Sequence, residues 1–197
     1  EFGPIFAALG MDGSFDHDRI QANMDGRCDA TPAAEVQREA LRQAIAYKKY
    51  EFDAHGVEMN QRYRSSAILT DGQAEPPFTR DAELHYQPTT WPGARLPHVW
   101  VYGKDGRRLS TLDLCGRGQF TLITGIGGDP WVDAALAVGK SMGITIRTHV
   151  IGPRRAIADH AGDCARTREI ADAGCLLVRP DHHVAWRSHA MPADPAA

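Results

Sequence analysis

A chain of 197 residues with 43% hydrophobic and 24% charged residues has the balance of a soluble globular protein, long enough for one sizeable domain or a smaller one with an appendage. Its formal charge of -3 and lack of any Lys/Arg run exclude the clustered basic surface that nucleic-acid binding needs. No apolar stretch approaches the ~20 residues that cross a bilayer, and no charged-then-apolar leader is present, so no membrane partner and a cytoplasmic location are expected.

Phe2, Ile5, Phe6 and Leu9 recur at helical spacing, with Gly10 as the stop. This stripe has no cap before it, and the chain begins with Glu1 rather than Met; both fit a piece of a longer protein. Met11 to Ala30, a mixture of Asp, Gly and Asn, reads mostly as loop. Thr31-Pro32 then opens the clearest helix, with threonine capping free amides and proline at the first helical position. Val36, Ala40, Ala44 and Tyr47 form its apolar stripe, with Arg38, Arg42 and Lys49 opposite, as in a surface helix.

From Glu51 to Arg95 the pattern breaks into short pieces between the turn signals Asp71-Gly72, Pro76-Pro77 and Pro92-Gly93. Ser66 to Leu69 and Leu84 to Tyr86 are candidate short strands. The region reads as a connector packed along a neighbouring body.

Beyond Leu96 the character changes. His98 to Tyr102 is a strand candidate, followed by the turn Lys104-Asp105-Gly106-Arg107. Phe120 to Thr124 reads as a buried strand. Gly125 to Gly128 makes a tight loop, and Asp129-Pro130 opens a helix to about Met142, with Val132, Ala135, Leu136 and Gly139 facing inward. Ile144 to Ile151 alternates as a strand should, and Asp163 to Ala171 is a second short helix. Cys175 to Val178 and Val184 to Trp186 flank Pro180-Asp181-His182 as a hairpin. The order strand, strand, helix, strand, helix, strand, strand predicts an α/β, thioredoxin-like layout, a mixed sheet with flanking helices. The expected domains are a helical tail over 1–50, an irregular connector over 51–95 and the thioredoxin-like domain over 96–190.

The motifs point away from self-contained chemistry. Gly125-Ile126-Gly127-Gly128 lies between a strand and a helix, where free amides favour an anion. The full G-x-G-x-x-G spacing is missing, however, and a tight turn is the better reading. Redox cysteines of a thioredoxin would sit in this loop, which instead holds Gly128-Asp129-Pro130-Trp131, so disulfide exchange is not expected. Cys28, Cys115, Cys164 and Cys175 match neither a zinc site nor a disulfide scaffold and read as reduced thiols. Among nine histidines, the adjacent His182 and His183 point to opposite faces of a strand. His160 with Cys164 supplies two ligands at most, which does not close a zinc site. No Gly-x-Ser-x-Gly or other hydrolase signature occurs. Nor are Asp113, Asp159 and Asp163 spaced for acid–base work. The polar run from His55 to Tyr63 reads either as a ligand- or domain-facing segment or as a loop satisfying its own backbone.

Several segments carry a resemblance. His55-Gly56-Val57-Glu58-Met59-Asn60-Gln61-Arg62-Tyr63, Pro92-Gly93-Ala94-Arg95-Leu96-Pro97-His98-Val99-Trp100 and Ser110-Thr111-Leu112-Asp113-Leu114-Cys115-Gly116 resemble the 2,4-dichlorophenol 6-monooxygenase and phenol 2-monooxygenase group. Phe120-Thr121-Leu122, Leu176-Leu177-Val178-Arg179-Pro180-Asp181 and His183-Val184-Ala185-Trp186-Arg187 continue the likeness, which runs from Gly3 to about Ala190. It implies the carboxy-terminal part of a class A flavin hydroxylase, in which FAD reduced by NADPH places a hydroxyl ortho to a phenolic one. It also implies that the flavin motifs and most of the phenol pocket lie in an amino-terminal part that this sequence does not contain. The resemblance therefore assigns no catalytic, cofactor-binding or metal-binding residue here, and no FAD is expected on this chain alone. It implies partners instead: the flavin domain, and a second copy in a homo-oligomer. His55, Glu58, Asn60, Arg62 and Tyr63 are the candidate domain-interface residues. The rival expectation is a stand-alone thioredoxin-like binding or dimerisation module; a metal-dependent enzyme built on the histidines is a more distant one.

Overall fold

The computed structural model describes residues 2–11, 13 and 16–195. They fall into two compact units, Glu1–His55 and Gly56–Ala197.

The first unit is helical: α1 (Gly3–Ala8), α2 (His17–Gly26) and α3 (Pro32–Phe52). Thr31 caps α3 as its sequence predicts, its hydroxyl accepting from the Ala34 amide at 3.2 Å. The loop expected over Met11 to Ala30 is corrected, because α2 occupies its second half. The Asp16 carboxylate caps that helix by accepting from the Arg19 amide at 3.1 Å, which supplies the start signal that the polar composition hid. The stripe assigned to α3 is also corrected. Val36 and Tyr47 stay exposed, while Ala34, Ala44 and Lys48 are buried. Arg38, placed on the outer side from sequence, turns in and donates to the Arg27 and Asp29 carbonyls at 2.6 and 3.0 Å. A cation is favourable there because the end of α2 presents unsatisfied carbonyl oxygens. Lys48 lies 4.4 Å over the Phe2 ring and pairs with Glu51, so its stem lines the inner face while its charge is satisfied.

The second unit is α/β. α4 (His55–Met59) spans the boundary between the units; after it come β1 (Trp100–Gly103), β2 (Arg108–Ser110), β3 (Phe120–Thr124), α5 (Asp129–Met142), β4 (Ile146–Val150), β5 (Ile157–Ala158), α6 (Asp163–Thr167), β6 (Cys175–Val178) and β7 (Val184–Ser188). A mixed sheet runs β4-β3-β6-β7, with β3 parallel to β4 and the other pairs antiparallel. A smaller antiparallel sheet runs β2-β1-β5.

Side-chain alternation along the strands builds a core on each face of the larger sheet. Ile123, Leu176 and Val178 join Leu96, Val101, Leu114 and Cys164 on one face, so the smaller sheet and α6 cover that side. Leu122, Cys175 and Leu177 meet Trp131 and Ala135 on the other, under α5. The inward face of α5 is rotated from the expected one. Leu136 is exposed, whereas Trp131, Ala134, Ala135 and Gly139 are buried. Trp131 sets that rotation: its ring lies 5.6 Å from Trp186 and its indole N–H donates to the Ala173 carbonyl at 2.9 Å.

Between Gly56 and Leu96 the expected strands are turns. Asp81 accepts from the Glu83 and Leu84 amides at 2.9 and 3.1 Å, which closes an Asx turn where an extended piece was read. Ser65 closes a turn before Leu69, its hydroxyl accepting from the Ala67 amide at 3.3 Å and its carbonyl from the Ile68 amide at 3.0 Å. The strands β2 and β5 went unread from sequence, and β1 begins at Trp100 rather than His98.

Candidate functional site

The connector is fastened to the exposed edge of β7. Gly93 donates to the Val184 carbonyl at 2.8 Å, Val184 to Ala94 at 2.9 Å, Leu69 to Ala185 at 2.8 Å and Leu96 to His182 at 2.7 Å. A sheet edge left open is a template for wrong pairing; here the chain's own connector satisfies it. Gly93 makes this approach possible, with φ +97° and a hydrogen where a Cβ would lie 2.2 Å from the Tyr63 carbonyl oxygen.

Beneath this seam lies a buried ionic clamp. The Arg187 guanidinium, near the end of strand β7, donates to Asp71 at 2.5 Å, to Glu169 at 3.0 Å and to the Thr90 hydroxyl at 3.2 Å. The side chains of Arg187 and Asp71 are 6% and 4% exposed, so this is not a surface pair of the kind that contributes little. Asp71 is also 2.8 Å from His189 and accepts from the Gln73 amide at 3.0 Å. Burial alone would raise the Asp71 pKa, but the hydrogen bonds from Arg187, Gln73 and His189 hold it below the ordinary aspartate value. Glu169 sits at φ +57°, a conformation costing an L-residue about 1–2 kcal/mol. In return its carboxylate accepts from the Thr89 hydroxyl, the Thr90 amide and Arg187 at 2.8–3.0 Å. The clamp thus joins three distant parts of the sequence: the connector, the segment after α6, and β7.

The five candidate interface residues divide in this frame. Asn60 is spent inside the connector: its amide donates to the Ala82 and His85 carbonyls at 2.8 Å, and its oxygen accepts from the Gln87 amide at 2.8 Å. Arg62 is buried, donating to Glu75 and the Pro76 carbonyl at 3.0 and 2.7 Å and stacking 4.2 Å from the Phe78 ring. His55, Glu58 and Tyr63 are exposed, with the Tyr63 ring 4.6 Å from His183. Asp71, Glu169, Arg187 and Thr90 were not singled out from sequence. The available signal was a charged residue directly after the apolar run Val184-Ala185-Trp186.

The glycine loop does not fit a dinucleotide phosphate. A Cβ at Gly125 would strike the Arg168 guanidinium at 2.2 Å, and one at Gly128 would strike Thr124 at 1.8 Å. Their missing side chains therefore serve internal packing. Their amides are already bonded to the Asp172 and Gly125 carbonyls, and Asp129 beside them is held bidentately by Arg155 at 2.6 and 2.8 Å. Burial pushes the thiols of Cys115, Cys164 and Cys175 up to about 12, 11 and 12, which keeps them protonated and unreactive. Among the described residues no group of three or more His, Cys, Asp or Glu could hold a metal ion, and no helix is long and apolar enough to cross a membrane.

Residues 89–197, which include Thr90, Glu169 and Arg187 of the clamp, match the family described as "Aromatic-ring hydroxylase, C-terminal". The chain belongs to this family. Over 197 residues it is 52% identical to a 2,4-dichlorophenol 6-monooxygenase of Cupriavidus pinatubonensis, covering all of this chain and 33% of that protein. It is 43% identical over 195 residues to a phenol 2-monooxygenase of a Pseudomonas strain, covering 99% and 32%. A solved structure of the flavin-dependent monooxygenase PieE, in complex with FAD and substrate, superimposes with a TM-score of 0.84 at 43% identity, covering 95% of this chain and 32% of that one. The chain spans about a third of the length of these relatives. Its sheets and the clamp residues Thr90, Glu169 and Arg187 belong to the matched region, while Asp71 lies before it.

Proposed function

We propose that this chain is the carboxy-terminal portion of an FAD- and NADPH-dependent phenol or chlorophenol ortho-hydroxylase, acting as a docking and dimerising body that holds no catalytic group of its own. The observation that carries the reading is the glycine turn, where Gly125 and Gly128 are packed against Arg168 and Thr124. A flavin's chemistry belongs to the cofactor, and the protein contributes binding and orientation; a glycine turn spent on internal packing supports a flavin site outside this chain. The relatives named for chlorophenol and phenol oxidation are three times as long, which supports a flavin-bearing segment elsewhere in the whole protein. The thioredoxin-like reading of the domain is supported by the order β4-β3-β6-β7 with its single parallel pair.

In this reading the first unit faces the flavin-bearing part. Phe2, Phe6, Val36, Ile45, Tyr47, Tyr50 and Phe52 are exposed there, more apolar surface than a helical unit of this size leaves in water without a partner. His55, Glu58 and Tyr63 are the candidate-interface side chains still available for contact, whereas Asn60 and Arg62 act by holding the connector in shape.

The test is the colour and oxidase activity of purified Glu1–Ala197. The expected material is colourless after incubation with FAD and gel filtration, and consumes no NADPH above buffer. Stoichiometric yellow flavin retained by these residues alone would overturn the proposal.

A further inference from the structure

The helix α5 covers only part of the sheet face on which it lies. It packs on β3 and β4, burying Ala134, Ala135 and Gly139 while Leu136 stays exposed. On the same face β6 and β7 present the cross-strand pair Leu177 and Trp186, and the other helix of the domain, α6, lies across the sheet on the opposite side. Two alanines stand where larger residues would fill the gap, and a cavity of about 120 Å³ remains. Leu122, Trp131, Ala134 and Ala135 are its buried walls, and half-buried Ile146, Leu177 and Trp186 continue them toward solvent. Packed interiors leave few voids larger than a water molecule, so this one is a feature to be accounted for.

We propose that the cavity binds one small, unfused aromatic ring of benzene or halobenzene size. The volume sets the upper limit: it is close to the ~150 Å³ of an apolar cavity that takes up benzene, and a fused ring system is too large. The two tryptophans select a ring. Their centroids lie 5.6 Å apart with the planes at 73°, and such a corner offers a third ring one face and one edge, the arrangements aromatic pairs prefer. Water is a poor occupant, because a held water needs two to four polar partners. The Trp131 indole N–H is spent on the Ala173 carbonyl at 2.9 Å, and β3, β6 and β7 pair their backbones with one another. The Trp186 indole is the one donor left among the lining side chains. The same poverty of polar groups makes this a site that holds a ring and performs no chemistry on it. It requires no flavin, so its test stands apart from the hydroxylase reading.

The experiment uses the complete chain. Crystals are soaked in bromobenzene or, separately, in bromocyclohexane, and measured at the bromine absorption edge. Thermal unfolding is followed with increasing benzene. The expected results are an anomalous peak for bromobenzene between Trp131 and Trp186, a weaker one for bromocyclohexane, and a saturable rise in Tm of about 3–6 °C at a tenfold excess of benzene over Kd. Ala135→Met, which fills the cavity, should remove that rise; if it does not fold, Val138→Met at a half-buried lining position takes its place. A bromobenzene peak only elsewhere on the molecule, or a Tm indifferent to benzene, overturns the proposal. Equal peaks for the two bromides overturn the choice of an aromatic ring, and a benzene effect that persists in the filled variant overturns the choice of cavity.

Discussion

Replacing Asp71 by alanine should loosen the seam between connector and sheet more than any other single change in the polar interior. Asp71 is almost wholly buried and takes hydrogen bonds from Arg187, His189 and the Gln73 amide. Removing one partner of a buried ion pair costs about 3–5 kcal/mol, because the remaining charge is left uncompensated. Arg187 would retain Glu169 and Thr90, so the expected loss is at the lower end, about 3 kcal/mol. That corresponds to a fall in Tm of about 6–12 °C. Urea unfolding followed by tryptophan fluorescence reads it directly, since Trp91 lies 5.5 Å from the Arg187 guanidinium. Arg187→Met and the double variant complete a cycle, with an expected coupling of about 2 kcal/mol. A single-variant loss under ~0.5 kcal/mol, or strictly additive effects, would refute the claim that these charges hold the connector in place.

Asp71 and two further carboxylates give an acid limit. Asp71, Glu75 and Asp181 all have pKa values below their ordinary range in the fold. For a lowered carboxylate, stability is fully present above the unfolded value near 4 and is lost as pH falls through the folded value. Unfolding free energy should therefore fall below about pH 4, with a shallower fall in Asp71→Asn, while the buried His149, whose pKa burial lowers, already removes some stability below about pH 6.5; equal acid slopes would count against the assignment. Intact-mass analysis after iodoacetamide at pH 8 should show one adduct on the native chain, at exposed Cys28, and four in denaturant. Two or more native adducts would mean that the three raised thiols are not shielded as described. Gly93→Ala should cost about 3 kcal/mol or more, because φ and a backbone oxygen both oppose a Cβ. Gly106→Ala has the same backbone sign with open space around it, and should cost only about 1 kcal/mol.

The parts legible in the sequence are those where local pattern and tertiary environment agree. Phe120–Thr124, Asp129–Met142 and Cys175–Val178 were each read to the residue, because branched runs and an Asp-Pro helix start leave few alternatives. The strands β2 and β5 are too short for alternation to register. α2 hides in a stretch whose Asp and Asn residues favour turns until Asp16 is recognised as a cap. The face of α3 was misjudged for a different reason: the larger residues of its apolar stripe, Val36 and Tyr47, point outward in this unit, so hydrophobicity there does not mark the local core. The clamp was invisible for reasons of distance. Asp71 and Arg187 are separated by 116 positions, and Asp71-Gly72 reads locally as nothing more than a turn.

The docking role is tested most directly by a chimaera. In it, the matching carboxy-terminal third of the Cupriavidus pinatubonensis 2,4-dichlorophenol 6-monooxygenase is replaced by this chain, and product formation is compared with the same enzyme simply truncated there. The account expects hydroxylation by the chimaera and none by the truncated protein. Full hydroxylation by the truncated protein would contradict it, since the flavin-bearing part would then have no need of this body.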